Sequence, residues 1–393
     1  MIETISRTGR PTAGRPVRVG AGATVTTIAC VLPVFLVGGL AVQLGDELGF
    51  SPAGLGLAVS VYFGISALAS VPSGALVERY GPAPVARVAI VLSAGSLLAV
   101  AGLARSYPTL VALLALSAAG NALGQLASNA ALAEHVPTHR QGLSFGVKQA
   151  AIPLSTLLAG AAVPTVALTA GWRWAFVAAA GAALAALPAV PRSGRDRRTR
   201  SASTARGGGR AALVVVGLAA TLAAGAANAL GTFLVDSSAA RGLSPGLAGL
   251  TLTLGSAVCV SARVGVGWLA DRRAGGHVGV VAALLVTGSV GLVLLSVAGP
   301  VPLVAGVVLG FGLGWAWPGL LTFAVVRLHP RAPAAATSIT QTGVYAGGCL
   351  GPLGLGALAG TAGYPVMWLT AAGAMLLAAL LMLLGARLLS RPA

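Results

Sequence analysis

Twelve long apolar runs divide this chain and limit what it can fold into. They cover residues 20–44, 54–76, 84–104, 108–133, 142–168, 172–190, 211–235, 246–269, 277–298, 301–326, 337–360 and 364–388. Each run is about as long as the 20 apolar residues that a helix needs to cross a bilayer. Only 8% of the 393 residues are charged, against about 25% in a soluble domain. A β-barrel would instead show short alternating segments, so we predict an all-α membrane protein with twelve transmembrane helices, numbered span one to span twelve.

The basic residues orient these spans. Twenty of the 25 Lys and Arg residues lie in the tails and connections of one side, whereas Arg105, Arg173 and Arg241 lie on the other side. Cytoplasmic loops of membrane proteins carry such an excess. We therefore predict a multi-pass protein of the bacterial cell (inner) membrane with both termini in the cytoplasm. The net charge of +17 then needs no nucleic-acid partner.

The chain also contains an internal repeat. Ser51-Pro52 and Ser244-Pro245 are 193 residues apart, and Gly171-Trp172 and Gly363-Tyr364 are 192 apart. Two six-helix halves running in the same direction are typical of one class of secondary transporter. We predict a basic N-terminal tail (1–19), an N-terminal half (20–190), a cytoplasmic linker (191–210), a C-terminal half (211–388) and a short tail (389–393).

One motif occurs after the second helix of each half. It comprises Gly74, Glu78, Arg79 and Gly81 in the first copy and Gly267, Asp271, Arg272 and Arg273 in the second. The motif and the repeat resemble the major facilitator superfamily over essentially the whole chain. That resemblance implies gating residues at these positions, because glycine allows close helix approach and the acid accepts hydrogen bonds from the other half. Glu78 and Pro82-Ala83 depart from the usual pattern, which would weaken the first copy.

The same resemblance implies a transporter rather than an enzyme, driven by gradients and working as a monomer. The sequence predicts no cofactor and no metal site, because Cys30, Cys259 and Cys349 lie at unrelated positions in the spans. The predicted partners are the lipid bilayer and a small-molecule substrate. Protons or a counter-anion are candidates for a coupled ion.

Two cations inside spans are the candidate substrate-binding residues. Lys148 in span five and Arg263 in span eight lie at similar depth, and a cation within the bilayer is costly and usually functional. In the superfamily arrangement these helices face each other, so the resemblance predicts that a small anion bridges both side chains. The alternatives are that Lys148 reaches the membrane surface and that Arg263 only satisfies backbone carbonyls.

The surroundings of Arg263 and Lys148 resemble particular branches of the superfamily. The segment from Arg263 to Arg272 is similar to monocarboxylate and oxalate/formate carriers, where an arginine at this position binds the substrate carboxylate. Cys259 stands where monocarboxylate carriers often have an acid. Residues 146–153 and 340–343 are similar to the cyanate-permease-like branch.

Further polar residues are candidates for the cavity wall. They are Asn121, Gln125 and Ser128 on one face of span four, together with Gln149, Asn228, Gln341 and Tyr345. The alternative for each is a hydrogen bond between helices. Trp172, Trp174 and Trp368 near the outer surface are predicted to anchor the protein at the membrane interface.

The alternative function is efflux of a drug or metabolite. Drug/proton antiporters of the superfamily typically have an arginine in the fourth helix, which is absent here. A lipophilic cation would also meet two positive charges, so this alternative is open mainly for anions.

Overall fold

Helices joined by short turns form the protein. The computed structural model describes residues 14–137, 140–190, 210–273, 275–328 and 333–389, and these residues contain no strand. Most of the predicted N-terminal tail and linker, and residues 390–393, lie outside the described residues. The all-α class predicted from the apolar runs is confirmed.

Six spans form the first half. They are Gly14–Gly39 (span one), Pro52–Tyr80 (span two), Pro82–Leu103 (span three), Tyr107–His135 (span four), Gln141–Ala162 with its continuation to Ala170 (span five) and Trp172–Ala185 (span six). The separate short helix Ala41–Leu48 follows span one. Span five passes through a π-helical segment, Val163–Ala167.

The second half has the same order. Its spans are Arg210–Ala239 (span seven), Pro245–Arg272 (span eight), His277–Ser296 (span nine), Pro300–Gly306 with π-helical Val307–Leu313 and the helix Trp317–Leu328 (span ten), and Pro333–Leu389. In the described part of the chain, eleven helices are long and apolar enough to cross a membrane. The last covers Ile339–Leu388 and is divided at Gly363, where φ is 84°, into spans eleven and twelve. The described helices therefore accommodate the twelve predicted spans.

The turns of the two halves repeat the same backbone geometry. Gly49 and Gly242 have φ of 70° and 90°, and Gly171 and Gly363 have φ of 96° and 84°. These pairs are separated by 193 and 192 residues, as in the sequence repeat. Only glycine adopts a left-handed φ without strain, so the repeated glycines fix equivalent turns in both halves.

The halves meet along two pairs of helices, in which spans five and eight pack together, as do spans two and eleven. Small residues bring the backbones close. A Cβ atom on Gly160 would lie 2.6 Å from the carbonyl oxygen of Gly249, and one on Gly356 would lie 2.9 Å from that of Pro52. The end of the bundle that holds Arg18, Arg79 and Arg272 is termed the arginine-rich end, and Gly160 lies toward the opposite end.

Substitution at this contact tests the close approach of the halves. We expect Gly160→Val to lower the melting temperature of the purified protein, because overpacking a tight contact costs about 1–3 kcal/mol. The matched control is Gly95→Val, because a Cβ atom on Gly95 meets nothing within 4 Å. Equal melting temperatures for the two variants would show that spans five and eight do not meet at Gly160.

Candidate functional site

Arg263 lies between the two halves, with its side chain 1% exposed. Its Nε and Nη2 atoms donate to the carbonyl oxygen of Trp315 in span ten at 3.0 and 2.7 Å, and Nη1 donates to the carbonyl oxygen of Gln149 in span five. The guanidinium carbon also lies 5.4 Å from the centroid of the Trp315 ring. Arg263 therefore joins its own half to the other half through backbone acceptors.

Breaks in regular helical bonding explain why these two carbonyl groups are free. Trp315 lies in the turn between the π-helical segment that ends at Leu313 and the helix that begins at Trp317. Gln149 lies four residues before Pro153, which has no backbone N–H to donate. The carbonyl-satisfying role considered for Arg263 is thus present in this conformation.

Lys148 is buried close to Arg263, with 1% of its side chain exposed. Its Nζ atom donates to Oε1 of Gln125 in span four, so the side chain does not extend to the end of the bundle. Arg263 donates to the carbonyl oxygen of Gln149, the residue that follows Lys148 in span five, so the two cations lie near each other. Among the described residues neither cation forms an ion pair. The centre of the molecule thus holds two positive charges that no described carboxylate neutralises.

Some of the other candidate residues lie near the buried cations, and others form hydrogen bonds between helices. Tyr345 is buried in span eleven, with 8% of its surface exposed. Asn121 donates to Oγ of Ser66 at 3.1 Å, and its buried side-chain oxygen has no hydrogen-bond partner among the described residues. The buried side-chain oxygen of Gln149 likewise has none in the described part of the chain.

Two candidate side chains donate hydrogen bonds to backbone carbonyl oxygens. Asn228 donates to the carbonyl oxygen of Ala224 in its own helix at 2.8 Å. Ser128 donates to that of Ala23 in span one at 3.1 Å. The polar face predicted on span four is therefore shared between Lys148, span two and span one.

Asp271 joins the halves at the arginine-rich end. Its carboxylate accepts hydrogen bonds from the backbone N–H groups of Gly142 and Leu143 at 3.0 and 2.9 Å. These are the first residues of span five, so the acid caps that helix and meets its positive dipole end. Nearby, Gly267 would place a Cβ atom 3.3 Å from the Cα atom of Gly146. The second copy of the motif thus contacts the other half at the arginine-rich end.

The first copy of the motif differs in its described surroundings. A Cβ atom on Gly74 would meet no described atom within 4 Å, so the expected close approach is absent there. Glu78 is exposed, and Gly81 ends span two with φ of 83°. Arg79 and Arg272 stack on the adjacent rings of Tyr80 and Trp268, while Arg273 follows the end of span eight.

Aromatic donors and carboxylates join helices at the opposite end. Trp172 donates through Nε1 to Oε2 of Glu47 at 2.6 Å, and Arg173 pairs with Oε1 of Glu47 at 2.7 Å. In the second half the hydroxyl of Tyr364, the repeat equivalent of Trp172, donates to Asp236. Each half thus ties its first helical region to the start of its sixth span. Sequence patterns did not indicate these pairs, because their members are 125 and 128 residues apart.

The prediction of three interfacial tryptophans is wrong for two of them. Trp172 and Trp368 are 5% and 0% exposed, whereas Trp174 is 58% exposed. Trp172 is buried because its indole N–H binds Glu47 and its ring packs against Phe176. Only Trp174 retains the exposed position that an interfacial anchor needs.

Comparison with protein families decides the class of the molecule. The family model described as Major Facilitator Superfamily matches residues 23–352 and, in a second match, residues 216–393. The chain belongs to the Major Facilitator Superfamily. It is therefore a membrane transporter of this superfamily. No curated protein matches the chain.

This transporter also contains a cavity of about 290 Å³ within its first half. The cavity lies at the arginine-rich end between spans one, three and four, and its wall includes Arg18, His135 and Ser128. It is separate from the interface between the halves. The buried cations therefore remain the better candidate for the substrate site.

The Asp271 contact gives a test of the gating assignment. We expect Asp271→Asn to lower the melting temperature, because an amide keeps one acceptor oxygen instead of two and loses the negative charge at the helix start, a charge worth about 0.3–1 kcal/mol. Glu134→Gln is the control, since Glu134 is an exposed carboxylate at the same end. If both variants melt at the same temperature, Asp271 does not hold the halves together.

The Glu47 cluster predicts a pH-dependent stability. The hydrogen bond from Trp172, and to a smaller extent that from Arg173, lowers the pKa of Glu47. A lowered folded-state pKa gives stability that is full above the unfolded value of about 4.3 and is lost as the pH falls through the folded value. We expect Glu47→Gln to melt below the wild type at pH 7 by an amount worth about 1 kcal/mol, since the pair is partly exposed.

The difference between wild type and Glu47→Gln should shrink as the pH falls below about 4.3. Melting curves of both proteins and of Glu134→Gln across this range measure the effect. A difference that stays constant with pH would contradict the assignment of this stability to the Glu47 carboxylate.

Proposed function

We propose that this transporter moves a small organic anion, by secondary active or facilitative transport, and that the anion bridges the two halves. The observation that carries the proposal is the pair of buried cations, Lys148 in the first half and Arg263 in the second, without a described carboxylate beside them. Removing two positive charges from water is expensive unless an opposite charge accompanies them. A bound anion supplies that charge.

The two side chains suit different parts of an anionic group. The planar guanidinium of Arg263 can present two parallel N–H groups to a carboxylate, whereas Lys148 provides a compact charge. Gln125, which holds Lys148 from span four, supports it from the first half. Asn121, Gln149, Gln341, Tyr345 and Asn228 complete the proposed wall of the site.

Alternating access follows from this placement. The empty site holds like charges that repel, and an anion between them attracts both halves. Substrate binding therefore favours the occluded conformation through which the halves exchange access. Asp271 with Gly142 at the arginine-rich end would close that end and would separate when the site opens there.

Orientation and coupling complete the proposal. The arginine-rich end faces the cytoplasm of a bacterial cell, as the distribution of basic residues indicates. Energy comes from a gradient of the anion itself, of protons or of a counter-anion. The protein acts as a monomer in the bilayer.

Ligand-induced thermal stabilisation tests the substrate class. A panel of small carboxylates and inorganic anions, with lipophilic cations for comparison, is added to the purified transporter. We expect at least one anion to raise the melting temperature, because binding at 100 times Kd stabilises by about 2.7 kcal/mol. We expect Arg263→Gln and Lys148→Gln to abolish this shift, and Arg263→Lys to reduce it by removing the bidentate geometry.

The control is Arg105→Gln, which removes an exposed arginine outside the site. It should respond to the anion as the wild type does. Stabilisation by cations alone, or an anion response that survives both central substitutions, would overturn the proposal and favour efflux of another solute.

A further inference from the structure

Pro153 determines where Arg263 binds in the other half. A helix carbonyl normally accepts from the N–H four residues later, and proline has no N–H. The carbonyl oxygen of Gln149 therefore has no donor within span five, and Nη1 of Arg263 donates to it from span eight. The acceptor for this inter-half hydrogen bond exists because residue 153 is proline.

A second proline shows the same arrangement inside one half. Pro33 lies in span one, and the carbonyl oxygen of Ala29, four residues earlier, accepts from Oγ of Ser93 in span three at 2.6 Å. Both prolines thus free a buried carbonyl that a side chain of another span satisfies. They differ in one respect, because Ser93 belongs to the same half as Pro33 and Arg263 belongs to the half opposite Pro153.

We propose that Pro153 is a positioning residue that makes the Gln149 carbonyl a latch for Arg263, and that this latch holds spans five and eight together until substrate takes the guanidinium. Where it concerns substrate, the inference rests on the proposed function. An anion that takes the Nη1 hydrogen now directed at Gln149 breaks that hydrogen bond and leaves a buried carbonyl without a donor. The anion thus competes with the latch, and the bridge that it forms between Lys148 and Arg263 replaces the direct hydrogen bond between the halves.

The variant Pro153→Ala tests whether the proline is what makes the Gln149 carbonyl available to Arg263. Alanine restores an N–H at position 153, which can bind the Gln149 carbonyl within the helix and leave Arg263 free. Pro33→Ala is the matched control, since it removes the equivalent proline without touching the interface. Both substitutions replace proline by a good helix former, so a general effect on folding would appear in both variants.

The latch is measured first without any anion. Spin labels at Tyr80 and Leu328, exposed side chains of the two halves at the arginine-rich end, report their separation by pulsed electron resonance. Labels at Leu103 and Val301 report the opposite end. We expect Pro153→Ala to shift the distances at the arginine-rich end to longer values and Pro33→Ala to leave them unchanged. Unchanged distances in Pro153→Ala, or equal shifts in both variants, would overturn the latch.

Competition is then measured with whichever anion stabilises the wild type. We expect Pro153→Ala to bind it about tenfold more tightly, because binding no longer leaves a buried acceptor unpaired. Unchanged or weaker binding would overturn the competition. If no anion binds either protein, the proposed function fails, and the distance measurement still decides the latch.

In an Arg263→Gln background, Pro153→Ala should no longer change the distances; a persisting shift would contradict the latch.

Discussion

Every backbone polar group within an apolar bundle needs a partner in the protein, and this requirement organises the centre of the molecule. Pro33 and Pro153 each remove one helix donor, and side chains of other spans replace it. At Pro33 the replacement stays within one half and strengthens it. At Pro153 the replacement is Arg263, so a local gap in helix bonding becomes a contact between the halves. Span ten contributes in the same way, because its interruption at Trp315 frees the carbonyl that holds the rest of the guanidinium.

The two halves share a topology but use it differently. Glycines of positive φ recur at equivalent positions, so the turns are the same in both halves. The chemistry is not equivalent, because Lys148 bonds to a neutral amide of its own half whereas Arg263 bonds to carbonyl groups of both. This asymmetry separates two tasks. At the proposed site, Lys148 would add charge without joining the halves, whereas Arg263 would do both, so a ligand that binds the arginine would act on the interface directly.

Sequence patterns predicted the features that recur at a fixed spacing along the chain or that carry a high free-energy cost at a single residue. Apolar length fixed the spans, the repeat predicted the paired glycine turns, and the cost of a buried cation marked Lys148 and Arg263. Contacts between distant residues could not be predicted in this way. The Glu47 cluster depends on Trp172, and the partners of Arg263 are backbone atoms that carry no sequence signal beyond a proline four residues away. The sequence predicts Trp172 and Trp368 as interfacial anchors because they lie near span ends, but packing within the protein buries both side chains.

A neutralising acid within the protein would change the behaviour of such a site. If a carboxylate paired permanently with Arg263, its charge would be balanced in every conformation, and an anion would gain little by binding. Backbone carbonyl groups accept a hydrogen bond from each of the three side-chain nitrogens of Arg263 while leaving its net charge in place. Hydrogen bonding and charge therefore have separate requirements at Arg263, and the proposed anion would meet the second. In the proposed mechanism, this division lets the arginine hold the halves together when the site is empty and still attract an anion, which then replaces that contact by a bridge between the halves.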